Sequence, residues 1–327
     1  MTALSVLDLM MIGDGKTFAD TLTDAVSLAR HVEAHGYKRY WIAEHHDLPG
    51  IASSATTLLI QHLAAATRTL RVGSGGIMLP NHSPLMVAEQ FGTLDTLFPG
   101  RIDLGIGRAP GSAGPAVRAL RGDASERDFT QDIRQLAGYL ADDASQPVRA
   151  IPGKHEVPMV LLGSSPNSAD LAARLGLPYA FASHFAPRFL MEAIAHYRAT
   201  FRPSAVLDRP YVIAGANVFA APSRAEARYL ASSHHQWVSQ LYTGRAAMLP
   251  RPVEGFMENL SGVDQQNLAQ AMSCTAIGDK QDVGNWLRQF IAATEADEVI
   301  IDARIYDPQA RCRSYQLAAE SIADLLD

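Results

Sequence analysis

Short β-rich runs alternate with amphipathic helical segments along this chain, and that alternation restricts the fold more than any other feature of the sequence. Residues 3–9 have strand character; Phe18, Leu22, Ala25, Val26, Ala29 and Val32 then recur at helical spacing, and Gly36 supplies the stop. The same pattern predicts strands at 40–45, 70–78, 101–107, 159–162, 179–182, 211–220 and 298–303. Helices are predicted at 53–67, 84–97, 125–140, 168–175, 187–201, 224–241, 281–294 and 309–326. Helices between successive strands call for parallel strands joined by right-handed crossovers. Eight such units favour one closed α/β barrel, the (β/α)8 or TIM barrel, over two domains, so residues 1–327 are expected to form a single domain.

A barrel of this kind needs about 250 residues, and the chain has 327. The excess falls in two stretches. Residues 109–124 (APGSAGPAVRALRGDA) are rich in Gly, Pro and Ala without clear periodicity and read as a mobile lid loop; residues 242–270 read as a late insertion.

Charge and composition exclude several classes of function. With 28 basic against 34 acidic residues and no basic block, there is no electrostatic reason to expect a nucleic-acid partner. Cys274 and Cys312 could form one bridge at most, and a core of this size needs no staple, so a reducing cytoplasm is the expected compartment. The first residues carry Asp8 within their apolar run and lack a basic leader. No apolar run approaches the roughly 18 residues of a membrane helix; the most apolar helical region, 55–66, contains Gln61 and His62.

Barrel enzymes place their chemistry at the C-terminal ends of the strands. Glu44-His45-His46 ends the second strand, and alternation turns only one of the two histidines toward the mouth. That residue could act as a general base or hydrogen-bond donor, or the pair could be structural loop histidines. No Cys or acidic group stands at ligand spacing to make this a metal site. Gly73-Ser74-Gly75-Gly76 marks either a close approach of something flat or a tight barrel corner. Gly107-Arg108 ends the fourth strand; Arg108 suits an anion clamp, or is a surface arginine. Ser164, Ser165 and Ser168 open a helix after the fifth strand, as an anion site or as plain caps. Arg108 on the neighbouring strand end favours a phosphate. Asp8, His82, Ser183 and His184 are further candidates for a substrate pocket.

Four segments together, YWIAEHH (40–46), VGSGGIMLPNHSP (72–84), FPGRIDLGIGRAPG (98–111) and LLGSSPNSADLAARLGLP (161–178), resemble the bacterial-luciferase-like flavin-dependent monooxygenases. The resemblance runs in order to about residue 185 and weakens through 240–270. It implies a (β/α)8 barrel that takes reduced FMN from a separate NAD(P)H:flavin reductase and uses O2 to oxygenate a small organic substrate. Carried across by motif, His45 is the active-site histidine, and Gly75-Gly76 marks a non-prolyl cis peptide beneath the flavin. Gly107 and Arg108 lie beside the cofactor, and Ser164, Ser165 and Ser168 on or next to its phosphate positions. The segment after Arg108 corresponds to the cover of the site. Gly107 stands where luciferase carries a cysteine and Ser183 where it carries a tryptophan, so a non-luminescent relative is expected. The family commonly dimerises, which suggests His46 pairing with Glu89 of a second subunit. Other readings are a deazaflavin-dependent dehydrogenase of the same superfamily and a flavin-binding protein without catalysis.

Overall fold

A computed structural model describes residues 2–109, 114–121, 128–244 and 247–326. The strands are β1 (Ala3–Asp8), β2 (Arg39–Ile42), β3 (Arg71–Met78), β4 (Ile102–Gly107), β5 (Met159–Gly163), β6 (Tyr179–Phe181), β7 (Val212–Ala220), β8 (Thr275–Gly278) and β9 (Glu298–Asp302). The helices are α1 (Phe18–Ala34), α2 (Thr56–Ala66), α3 (Pro84–Leu97), α4 (Gly114–Arg121), α5 (Phe129–Leu140), α6 (Pro166–Leu175), α7 (Leu190–Thr200), α8 (Arg224–Tyr242), α9 (Gly262–Ala271), α10 (Lys280–Thr294) and α11 (Pro308–Ser321). Local chemistry sets the ends of these elements. Thr17 and Asp20 close a capping box on α1, Pro84 stands in the first turn of α3, and Gly176 ends α6 in the left-handed region at φ 63°.

Strands β1 to β6 pair in sequence order, β6 pairs with β7, and β7 pairs with β9, which returns to β1. All these pairings are parallel, so eight strands close a barrel with helices outside, as the alternation predicts. Strand β8 was not expected. Asn217 pairs with Asp302 of β9 and with Thr275 of β8, so β8 takes the other side of β7, beyond the point where β6 ends. Four residues with two buried positions give too short a pattern to read.

Both long stretches contain ordered structure, with α9 inside the second. Within 109–124 the described part contains helix α4, and Arg121 Nε donates to Asn81 Oδ1 at 2.9 Å; residues 110–113 and 122–124 of the expected lid lie outside the described residues. Residues 247–249 are tied down: Leu249 N–H donates to Ile12 O at 2.8 Å and Trp237 Nε1 to Ala247 O at 3.3 Å. Residues 245–246 of the expected insertion are not described.

Alternation along each strand splits the apolar residues into two sets. Val6, Tyr40, Ile42, Val72 and Leu104 pack outward against the helices, whereas Leu7, Trp41, Val160, Ala180, Ile213 and Ile300 pack inside the barrel. Inward-facing charges close the N-terminal end. Arg39 Nη1 reaches Asp103 Oδ2 at 2.9 Å and Arg39 Nε reaches Glu298 Oε1 at 2.8 Å. The first contact spans β3, where a Cβ on Gly73 would meet Asp103 Cβ at 2.7 Å, so glycine there leaves room for the pair. Among the described residues, no helix is long and apolar enough to cross a membrane, and Cys274 and Cys312 are both free.

Candidate active site

A cavity of about 580 Å³ opens at the C-terminal ends of the strands, within the usual range of about 300–1,000 Å³ for small-molecule sites. Its walls are largely apolar and aromatic, including Leu7, Trp41, Phe181 and Trp237. An outer cleft of about 1230 Å³ adjoins it, bordered by α4 and sharing Arg108, Phe129 and Asn167 with the cavity.

His45 lines the cavity, just beyond β2, which ends at Ile42 rather than at 45. Its Nδ1 is buried without a hydrogen-bond partner. Burial pushes the imidazole pKa down to about 4, with a further push from the Arg304 charge, so the ring is neutral at pH 7. His46 turns the other way, and its Nε2 lies 2.8 Å from Glu44 Oε1. That same carboxylate takes His82 Nε2 at 2.8 Å and the Met78 N–H at 3.0 Å. Burial pushes the Glu44 carboxyl up, but the bonds from His82, His46 and Met78 outweigh it and hold the pKa below the ordinary value.

Gly75 and Gly107 line the cavity from β3 and β4. A Cβ on Gly75 would meet Leu7 Cδ1 at 2.6 Å, and one on Gly107 would meet Met78 Sδ at 2.9 Å. These walls are therefore bare backbone. The Gly75-Gly76 peptide is cis. Gly76 itself packs on β4, where an added Cβ would meet Gly105 O at 2.7 Å.

Arg108 is exposed on the rim, and Ser164, Ser165 and Ser168 line the same cavity, so the two neighbouring strand ends converge as expected. Ser165 caps α6 in a capping box, with Ser168 Oγ donating to Ser165 O at 2.7 Å and lying 2.9 Å from the Tyr179 hydroxyl. The serines thus cap the helix and border the cavity at once, at the positive end of the α6 dipole.

Several sequence expectations are corrected. Asp8 is buried outside the cavity: Arg311 Nη2 lies 2.9 Å from its Oδ1, the Tyr40 hydroxyl donates to Oδ2, and Met10 N–H donates at 2.7 Å. Burial pushes its carboxyl up, yet Arg311 and these bonds bring it below the ordinary value, marking a structural tie between β1 and α11. Ser183 is fully buried, its hydroxyl donating to Gly215 O at 2.5 Å. His82 borders the outer cleft rather than the cavity. His46 Nε2 lies 2.8 Å from Glu44 Oε1 of its own chain and Glu89 Oε1 accepts from Ile151 N at 3.4 Å; their pairing between subunits is a proposal. His184 does line the cavity; burial holds its pKa down to about 4, and its Nδ1 has no partner.

The sequence reading missed Trp41, Trp237 and Arg304, all of which line the cavity. Arg304 had a signal, since it stands two residues beyond the last barrel strand, where strand-end reasoning applies. Trp237 lies within α8 and had none.

Comparison with known proteins agrees with this architecture. The luciferase-like monooxygenase family is matched over residues 4–298. A luciferase-like monooxygenase of Escherichia coli (strain K12) is 47% identical over 99% of this chain and 98% of its own. The N-acetyl-S-alkylcysteine monooxygenase of Bacillus subtilis (strain 168) is 34% identical over 98% of each chain. The crystal structure of apo-MsnO8 superposes with a TM-score of 0.88 at 35% identity over 99% of both chains. The fold alone is shared with the oxygenating constituent of 3,6-diketocamphane monooxygenase of Pseudomonas putida in complex with FMN (TM-score 0.74, 16% identity, 100% of both chains). It is likewise shared with an F420-dependent secondary alcohol dehydrogenase (TM-score 0.70, 15% identity, 98% of this chain and 99% of the other). The barrel topology, the bare glycine wall and the matched family together place this chain in the luciferase-like monooxygenase family.

Proposed function

We propose that this protein is the oxygenating component of a two-component system: it binds reduced FMN delivered by a separate NAD(P)H:flavin reductase and uses O2 to oxygenate a small organic substrate. The observation that carries the reading is one cavity joining a bare-backbone wall at Gly75 and Gly107 to a cluster of anion donors at Arg108, Ser164, Ser165 and Ser168. A planar ring joined to a phosphate fits that pairing. When bound, reduced FMN supplies the electrons that activate O2 for transfer of one oxygen atom.

The chain's own residues do the rest. Arg108 and the α6 N-terminus hold the phosphate, while Leu7, Trp41 and Trp237 keep water from the ring. His45, neutral at pH 7 with its Nδ1 buried, offers its other ring nitrogen to the cavity to hold or accept a proton. The monooxygenase named N-acetyl-S-alkylcysteine monooxygenase, similar along nearly its whole length, supports oxygenation over the hydride transfer of a deazaflavin enzyme. We also propose that the protein works as a homodimer in the cytoplasm.

Anaerobic titration with photoreduced FMN tests the reading. Binding is expected, followed by faster flavin oxidation with substrate present when O2 is admitted. His45→Ala should lose turnover and keep FMN affinity, whereas Arg108→Ala should lose FMN affinity. Binding of F420 in place of FMN, or equal FMN affinity after Arg108→Ala, would overturn it.

A further inference from the structure

Arg304 is a buried cation whose charge helps keep His45 neutral but to which the proposed flavin chemistry assigns no ligand. It is 4% exposed, yet it lines the cavity. Asp302 holds it from behind, with Nε donating to Oδ2 at 2.8 Å and Nη2 at 2.7 Å from the same oxygen. The guanidinium carbon lies 4.7 Å from the centroid of the Trp237 ring, which fixes its plane. Among the described residues, Nη1 has no hydrogen-bond partner. His184, on the same cavity, has a buried Nδ1 that is also unpartnered. The free edge of Arg304 therefore borders the same cavity as His45 and His184, whose Nδ1 atoms are both buried without a partner.

The position of Arg304 separates it from the phosphate end, whereas His184 follows β6, beside β5. In the ring β1-β2-β3-β4-β5-β6-β7-β9, β9 stands four places from β4 on either side, so Arg304 lies across the barrel from Arg108. The strand before the α6 serines, β5, likewise lies opposite β1. The cavity thus carries arginines on two opposite walls, with Leu7 and Trp41 in its apolar lining.

We propose that Arg304, with His184, is the subsite for a carboxylate on the organic substrate, so that the enzyme acts on monocarboxylates with an apolar body. A guanidinium presents N–H donors suited to a carboxylate, and charge-assisted bonds of this kind are the strong ones in a water-poor site. His184 is held neutral by burial with its Nδ1 packed over Gly215, so a second bond to the ligand would come from its Nε2. With Nε and Nη2 already held by Asp302, a single N–H edge of the guanidinium is left for a ligand, which suits a monoanion better than a dianion such as phosphate. This proposal rests on the oxygenase reading for its chemistry, but its binding test does not.

The test compares hexanoate with hexanamide, which have the same apolar body, by calorimetric titration at neutral pH with and without FMN. The wild-type protein is expected to bind hexanoate about tenfold more tightly, the worth of one good charge-assisted bond. Arg304→Gln should abolish that preference while leaving hexanamide and FMN affinities nearly unchanged. Should that variant not fold, protection of Arg304 from phenylglyoxal by hexanoate in the wild-type protein, read by peptide mass spectrometry, decides instead. No binding of hexanoate, equal binding of acid and amide, a preference retained after Arg304→Gln, or lack of protection would overturn the proposal. So would a large loss of FMN affinity with the preference intact, which would assign Arg304 to the cofactor. If the wild-type protein fails to bind FMN, the oxygenase reading falls, while the acid-to-amide ratio without flavin still decides this one.

Discussion

Replacing Asp103 by asparagine should destabilise the barrel while leaving its mouth intact. Asp103 is fully buried at the N-terminal end of the barrel, where its carboxylate takes Arg39 Nη1 at 2.9 Å, Trp41 Nε1 at 3.2 Å and Arg71 Nη2 at 2.6 Å. Removing the charge leaves Arg39, 7% exposed, with Glu298 as its remaining close carboxylate. Breaking a buried pair costs about 3–5 kcal/mol, and the surviving Glu298 contact argues for the lower end, about 3 kcal/mol. At roughly 2 °C per kcal/mol for a long chain, the melting temperature should fall by about 6 °C. Arg71→Met is the comparison: its side chain is 25% exposed and Asp103 keeps Arg39 and Trp41, so it should cost less than Asp103→Asn. Differential scanning calorimetry at one fixed scan rate reads both, with FMN titrations on the same samples. Equal losses for the two variants, or a fall below about 1 °C for Asp103→Asn, would refute the argument from burial. A collapse of FMN affinity without a change in melting would refute the separation of floor from mouth.

Acid should destabilise the fold earlier than carboxylate titration alone would. Burial lowers His45, His184 and His235 to about 4 and His234 further, whereas unfolded histidines bind protons near their ordinary value of about 6.5. Stability is therefore complete above the unfolded value and falls as pH drops from about 6.5 to 4, by up to about 1.4 kcal/mol per pH unit per histidine. A urea midpoint that stays flat between neutral and mildly acidic pH would contradict this. Gly75→Val should press on Leu7 and Trp41, whose atoms lie 2.6 and 3.0 Å from an added Cβ, costing about 1–3 kcal/mol and weakening FMN binding; unchanged FMN affinity would remove Gly75 from the ring-binding wall. Glu44→Gln should cost roughly 2 kcal/mol, because a buried carboxylate accepting from His46, His82 and the Met78 N–H is lost, and thermal melting checks it.

Much of the fold was legible because it rests on local periodicity. Helix α3 begins and ends where the pattern places it, and the strand expected at 298–303 is the one that closes the ring. Local patterning failed where it was short or masked by composition: β8 offers four residues, and α4 begins with Gly114-Pro115, which reads as loop. At the site, residues fixed by strand ends came through, with His45, Arg108 and the α6 serines brought to one cavity. Asp8 and Ser183 did not, because a strand-end position leaves open whether a side chain meets the cavity or a buried partner. Arg311, which ties Asp8 down, is 303 residues away in sequence.

The sequence by itself determined the class of barrel, the glycine wall, the family and the strand ends that meet at the cavity, since each depends on residues close together along the chain. Only the tertiary structure decided which of those residues face one another. It set Arg39 against Asp103 across β3, and it turned His46 away to Glu44. It also placed Arg304 across the barrel from Arg108. The reason is physical: barrel closure brings together strands far apart in sequence, and the resulting ion pairs and cavity walls have no periodic trace in the chain.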